Sequence, residues 1–141
     1  MAKVLVTGAK GMLGQDLCPI LRNNGYSVIE TNHQTLDITN IDMVNEVLTK
    51  ERPDIVVHCA AYTNVDKAEV DLETARLVNA QGTENLAKAC ANINATLVYV
   101  STDYVFDGDA TKPYTPKDIP NPINNYGLTK FEGENAIKKY C

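Results

Sequence analysis

Three glycines set two residues apart, Gly8-Ala-Lys-Gly11-Met-Leu-Gly14, follow the short β-branched run Lys3-Val-Leu-Val-Thr7 and open an amphipathic stretch. Nothing else in the chain restricts its fold as tightly. So tight a turn needs approaches that a Cβ would obstruct, so the glycines serve geometry. A strand passing through it into a helix aims free backbone N–H groups and the positive end of the helix dipole at one spot. That spot suits a pyrophosphate. Glycines that only let a helix pack on a strand would look similar, but the position, after a strand and opening a helix, favours the nucleotide.

The rest of the chain alternates in the same way. Met12 to Asn23 is expected as a helix with Leu13, Leu17, Ile20 and Leu21 on one face, Gly25 as a stop and Pro19 as a cost or kink. Ser27–Glu30 is a second strand. Asp37-Ile-Thr-Asn40 leads into a helix through about Lys50, with Thr39 or Asn40 as its N-cap. Asp54–Cys59 is a strand apolar on both faces. A helix from about Leu72 to Asn92 follows, with Leu77, Val78, Leu86, Ala87 and Ala89 among its apolar positions. Thr96–Val100 is another buried strand. A long loop with Gly108, Pro113, Pro116, Pro120 and Pro122 precedes a last helix, from about Asn125 to Tyr140. This order implies an α/β fold: a doubly wound parallel sheet of Rossmann type, one NAD(P)-binding domain over residues 1–141. Such a sheet would continue to a sixth strand, so a truncated domain is expected, its C-terminal substrate-binding portion absent and an apolar edge strand open to association. Alone, the chain should hold nucleotide weakly and carry out no turnover.

Composition excludes several classes. The net charge of −5 and the lack of any Lys/Arg stripe argue against nucleic acid. No apolar run is long enough to span a membrane. Cys18, Cys59, Cys90 and Cys141 form no Cys-x-x-Cys pair and have no histidines at ligand spacing, so neither a metal nor a disulfide framework is expected. Reduced thiols in a cytoplasmic protein fit better.

Tyr126 and Lys130 stand four apart on the last helix and share a face. An ammonium near a phenol favours the phenolate and should lower its pKa, which suits a tyrosine that protonates a carbonyl during hydride transfer. Tyr-x-x-x-Lys alone is a common accident. Its context is Ser101-Thr-Asp103 at the end of a central strand, where ligands bind in such sheets. The Thr102 hydroxyl could polarise the same carbonyl, although strand-end turn chemistry also accounts for Thr102 and Asp103. A ribose-binding acid is expected near the end of the second strand. Glu30, beside Thr31, is one candidate, and Asp37 a further one toward the adenine. Lys10 could meet a 2′-phosphate, so NADH and NADPH both stay open.

Gly8, Gly11 and Gly14 followed by Thr102, Tyr126 and Lys130 resemble the extended short-chain dehydrogenase/reductase family. Three stretches are similar to its dTDP-4-dehydrorhamnose reductases: Cys59-Ala-Ala-Tyr-Thr-Asn-Val-Asp-Lys-Ala-Glu69, Ser101-Thr-Asp-Tyr-Val-Phe-Asp-Gly108 and Tyr126-Gly-Leu-Thr-Lys130. The resemblance implies NAD(P)H-dependent reduction of the 4-keto group of dTDP-4-dehydro-6-deoxy-L-mannose to dTDP-L-rhamnose, as in cell-surface polysaccharide biosynthesis. It implies Tyr126 as proton donor, Lys130 on the nicotinamide ribose, and Thr102 and Asp103 on the sugar. Gly11, Met12 and Leu13 would line the pyrophosphate, Asp37 and Ile38 the adenine, Ala61, Tyr62 and Thr63 the ribose side, and Val100 the nicotinamide. A homodimer is among the expected assemblies. The regulatory subunit of methionine adenosyltransferase resembles the same group and would instead bind NADP and a partner enzyme. Tyr126, Lys130 and Thr102 together favour catalysis.

Overall fold

The computed structural model describes residues 1–141. Four short strands, β1 (Lys3–Thr7), β2 (Ser27–Glu30), β3 (Ile55–His58) and β4 (Thr96–Tyr99), pair in parallel in the order β2-β1-β3-β4. Val4, Leu5 and Val6 of β1 are almost wholly buried, because this strand has neighbours on both sides and helices on both faces. Leu5 stands between Ile29 and Val56. Leu5 and Val56 face a core with Leu36, Ile38, Val44, Leu48 and Leu86, under α2 (Ile41–Glu51) and α5 (Gly82–Ile93). Val4 and Val6 face the other way, onto Cys18 of α1 (Met12–Asn23). This is the doubly wound α/β arrangement expected.

α1 presents a different face from the expected one. Gly14, Leu17, Cys18 and Leu21 turn to the sheet, while Leu13 and Ile20 are 47% and 57% exposed. The reason lies at Gly14, where a Cβ would stand 2.6 Å from both Ala9 Cα and Gly8 O. The helix must press its glycine against the loop, which rolls Leu13 and Ile20 outward. Pro19 sits on the exposed side, and the helix runs through it.

The expected helix over 72–92 is interrupted, and a short one precedes it. α3 (Val65–Val70) and α4 (Leu72–Arg76) are capped by Asn64 and Asp71, and a π-helical turn over Leu77–Gln81 then joins α4 to α5. β4 was expected to be buried and central, but here it pairs only with β3 and forms the open apolar edge expected of a truncated sheet, with Val98 45% exposed and Val100, just after it, 39% exposed. The last helix, α6 (Asn125–Tyr140), lies as expected and packs on α5 and the π turn. Its Gly127 and Gly133 allow close approach: a Cβ would strike Tyr104 O at the first and stand 2.6 Å from Tyr99 Oη at the second. All four cysteines are free, with Cys18 and Cys90 buried, Cys59 half-buried and Cys141 exposed.

Candidate active site

Because every strand is parallel, the turns after them gather at one edge and enclose a cleft of about 570 Å³. It collects Gly8, Gly11, Met12, Leu13, Gly14, Asp37, Ile38, Ala61, Thr63, Val100, Tyr126 and Lys130, all named from the sequence. It also takes in Lys10, Asn32, His33, Leu36, Thr39, Cys59, Ala60, Val78 and Ser101. Glu30, Thr31, Tyr62, Thr102 and Asp103 are not among its walls.

The glycine loop forms the floor. Gly8 adopts φ +64°, and a Cβ there would lie 2.8 Å from Ala60 N. Ala9 N–H donates to Thr31 O at 2.9 Å and Gly11 N–H to Gly8 O at 2.9 Å. α2, α3, α4 and α6 each have an Asn or Asp side chain capping their first turn, but α1 has no such cap and no acid in its first turn. No group of the chain accepts the Met12, Leu13 or Gly14 amides. Three open donors at a helix start, beside a glycine whose absent side chain leaves room, fit a pyrophosphate.

At the β2 end, Glu30 does not serve the cleft: it pairs with Arg22 on the far side of the loop. Thr31 is buried, its hydroxyl donating to Val6 O at 3.0 Å and its carbonyl holding Ala9, so it shapes the loop from behind. Asp37 is the acid that lines this end. It accepts from Thr39 Oγ1 at 2.7 Å and Thr39 N at 2.9 Å, and the Thr39 hydroxyl holds it below the usual carboxylate range.

Behind the opposite wall runs a buried polar chain. Ala60 N–H donates to Thr7 Oγ1 at 3.1 Å, and Thr7 Oγ1 stands 2.8 Å from His58 Nδ1. His58 Nε2 stands 3.0 Å from Thr83 Oγ1, whose proton goes to Asn79 O at 2.6 Å. Since Thr83 spends its proton there, Nε2 donates to Thr83, and in a neutral ring Nδ1 then accepts from Thr7 Oγ1. Burial, then the nearby Lys130 charge, pushes its pKa down to about 3, so it is no general base at neutral pH. The Asn79 side chain accepts from Tyr62 N at 2.8 Å and donates to Tyr62 O at 3.0 Å and Thr129 Oγ1 at 3.1 Å. Thr129 in turn donates to Tyr126 O at 3.0 Å. The π turn aims Asn79 inward, and Asn79 ties the Ala60–Tyr62 wall to α6. Sequence reasoning missed His58, Asn79, Thr83 and Thr129; a polar residue closing the apolar run Ile55–His58 was the available signal.

At the open end, Lys130 is 2% exposed. Its Nζ donates to Val100 O at 2.6 Å and lies 4.2 Å over the Tyr99 ring. Burial lowers its pKa to about 8, opposed by Glu134 and Cys59. Tyr126 is raised above the ordinary phenol value by burial; the Thr102 hydroxyl pulls it back, while Asp103 and Tyr104 push it up. This corrects the expected pKa depression, because the ammonium is turned to Val100 rather than to the phenol. Thr102 also caps the 3-10 turn Asp103–Val105, accepting from Tyr104 N at 3.2 Å. Tyr126 is thus a protonated phenol, edge-on to Tyr104 with ring centroids 5.9 Å apart.

The family model described as the RmlD substrate binding domain matches residues 2–141. The chain is 43% identical over 138 residues to the dTDP-4-dehydrorhamnose reductase of Aggregatibacter actinomycetemcomitans, covering 97% of this chain and 47% of that protein. It is 39% identical to the methionine adenosyltransferase 2 subunit beta of Xenopus tropicalis, over 96% of this chain and 42% of that one. Among solved structures, the dTDP-4-dehydrorhamnose reductase of Bacillus anthracis in complex with NADP superposes with a TM-score of 0.96 at 44% identity, covering 99% of this chain and 50% of that one. The chain thus spans about half the length of the curated relatives it matches.

Proposed function

The chain belongs to the RmlD substrate binding domain family, and from that premise we propose that it is the dinucleotide-binding part of an NAD(P)H-dependent reductase of dTDP-4-dehydrorhamnose. The observation that carries the proposal is the joining, in one cleft, of an uncapped helix start with Tyr126 and Lys130. When bound, the reduced nicotinamide supplies the hydride that the sugar's carbonyl carbon accepts. The Met12, Leu13 and Gly14 amides hold the pyrophosphate, and Asp37 and Ile38 flank the adenine. Lys130 holds the nicotinamide ribose. Tyr126 gives its proton to the 4-keto oxygen, and its raised pKa keeps that proton in place at neutral pH. Thr102, whose hydroxyl pulls the Tyr126 pKa down, meets the sugar oxygen, with Asp103 on the sugar. The product is dTDP-L-rhamnose and the setting a cytoplasmic one.

A second reading has one observation in its favour, the similarity to the methionine adenosyltransferase 2 subunit beta. Tyr126, Lys130 and Thr102 together weigh toward catalysis, since a binding subunit needs no proton donor. The deciding experiment is turnover of dTDP-4-keto-6-deoxy-L-mannose with NADH and with NADPH, by protein extended to the length of its relatives. Rhamnose formation supports the reductase; cofactor binding without turnover favours the second reading.

A further inference from the structure

Lys130 poses a problem that its own contacts do not solve. It is 2% exposed, and no carboxylate lies within ion-pair distance of it. Its donors reach a neutral carbonyl, Val100 O, and the face of Tyr99. A buried ammonium without a counter-charge tends to lose its proton. The groups that face it are His58 and Cys59 from β3 and the turn after it, Tyr99 from β4, and Glu134 from α6, with the Tyr126 phenol one turn back on the same helix. His58 is neutral, and burial raises Cys59, Tyr99 and Tyr126, which keeps them neutral as well. Glu134 is the one carboxylate in this set. It sits one helical turn past Lys130, and its Oε1 accepts from Ser101 Oγ at 2.5 Å.

The bonds from β4 to α6 therefore form a ladder. Tyr99 Oη donates to Lys130 O at 3.3 Å, Val100 O accepts Lys130 Nζ, and Ser101 Oγ donates to Glu134. Gly133 lets the helix come this close, since a Cβ there would strike Tyr99 Oη and, at 2.7 Å, Asn79 O. We propose that Glu134 is a positioning residue. It latches the end of β4 to α6 through Ser101, and it supplies the negative charge that keeps the buried Lys130 cationic. The role rests on the reading of Lys130 as the ribose-binding lysine, but the state of Lys130 can be measured without cofactor or turnover.

The test uses the 141-residue chain with 13Cε-labelled lysine, the Lys130 resonance being assigned with Lys130→Arg and followed through a pH titration. The wild-type midpoint should fall at about 8. In Glu134→Gln it should drop by about one pH unit, because the loss of a nearby negative charge disfavours the ammonium. Glu134→Asp, which keeps the charge but draws it back, should fall between the two. Ser101→Ala removes the latch and keeps the charge, so it should stay close to wild type while the Ser101 amide exchanges faster. An unchanged midpoint in Glu134→Gln would overturn the proposal, as would a drop in Ser101→Ala as large as that in Glu134→Gln. If Glu134→Gln does not fold, an unchanged Glu134→Asp midpoint has the same force. NADPH titration of the same samples separates this question from the reductase reading: a failure to bind NADPH leaves the lysine midpoints intact.

Discussion

The shared cleft of Tyr126 and Lys130 was legible from their spacing of four on one helix, whereas their electrostatics were not. Spacing puts Tyr126 and Lys130 on one helical face, but where an ammonium points depends on what packs against it, here Val100 O. Glu30 was misplaced for a similar reason: alternation along β2 turns its side chain away from the cleft, where Arg22 holds it. If the proposed function holds, Tyr126→Phe should leave NADPH affinity within about two-fold but lower kcat by roughly 100-fold or more in protein extended to the length of its relatives. A loss confined to KM would show that another group protonates the sugar. Cofactor affinity should also weaken as pH rises through about 8, where Lys130 loses its proton. Titrations at pH values on either side check this, and Lys130→Met should flatten the dependence.

The elements that sequence patterns recovered best were the strands and α6, whose boundaries follow apolar runs and the Asn124 cap. The segment between β3 and β4 was recovered least. α3 is short and polar, and the π turn answers to a tertiary demand: Asn79 must point inward to bond the Tyr62 backbone and Thr129. Asn79→Ala would strand the Tyr62 amide and should cost about 2 kcal/mol by urea denaturation. It should also weaken NADPH binding through the adjoining wall, and wild-type stability would argue that the bridge is idle. His58 acts on the same scale. Its folded pKa of about 3 lies below the unfolded 6.5, so the unfolded chain takes up the proton first as pH falls. Its contribution is complete above about pH 7 and erodes toward pH 3, by about 2 kcal/mol between pH 7 and pH 5. Denaturation curves at those two pH values should show that loss, and His58→Gln should be less stable at neutral pH but flatter.

At the scale of the whole molecule, the glycine loop and the strand–helix alternation made the doubly wound sheet legible, because each imposes a right-handed crossover and a common ligand edge. The buried chain from Thr7 to Tyr126 was not legible, since it joins residues far apart in sequence by contacts no local pattern records. An open apolar edge was expected of a truncated sheet, but that β4 is the strand that forms it follows only from the sheet order. The roles proposed for Asp37, Tyr126 and Lys130 all require that the cleft over α1 hold a nicotinamide dinucleotide by its pyrophosphate. Calorimetric titration of NADPH into the 141-residue chain and its Gly11→Val variant tests this most directly. A side chain at Gly11 would begin 3.1 Å from Gly8 O and project into the space the phosphates need. The native chain should show saturable one-to-one binding, and a variant of unchanged fold at least about ten-fold weaker binding. Equal affinity in the two proteins, or no binding by the native chain, would contradict it.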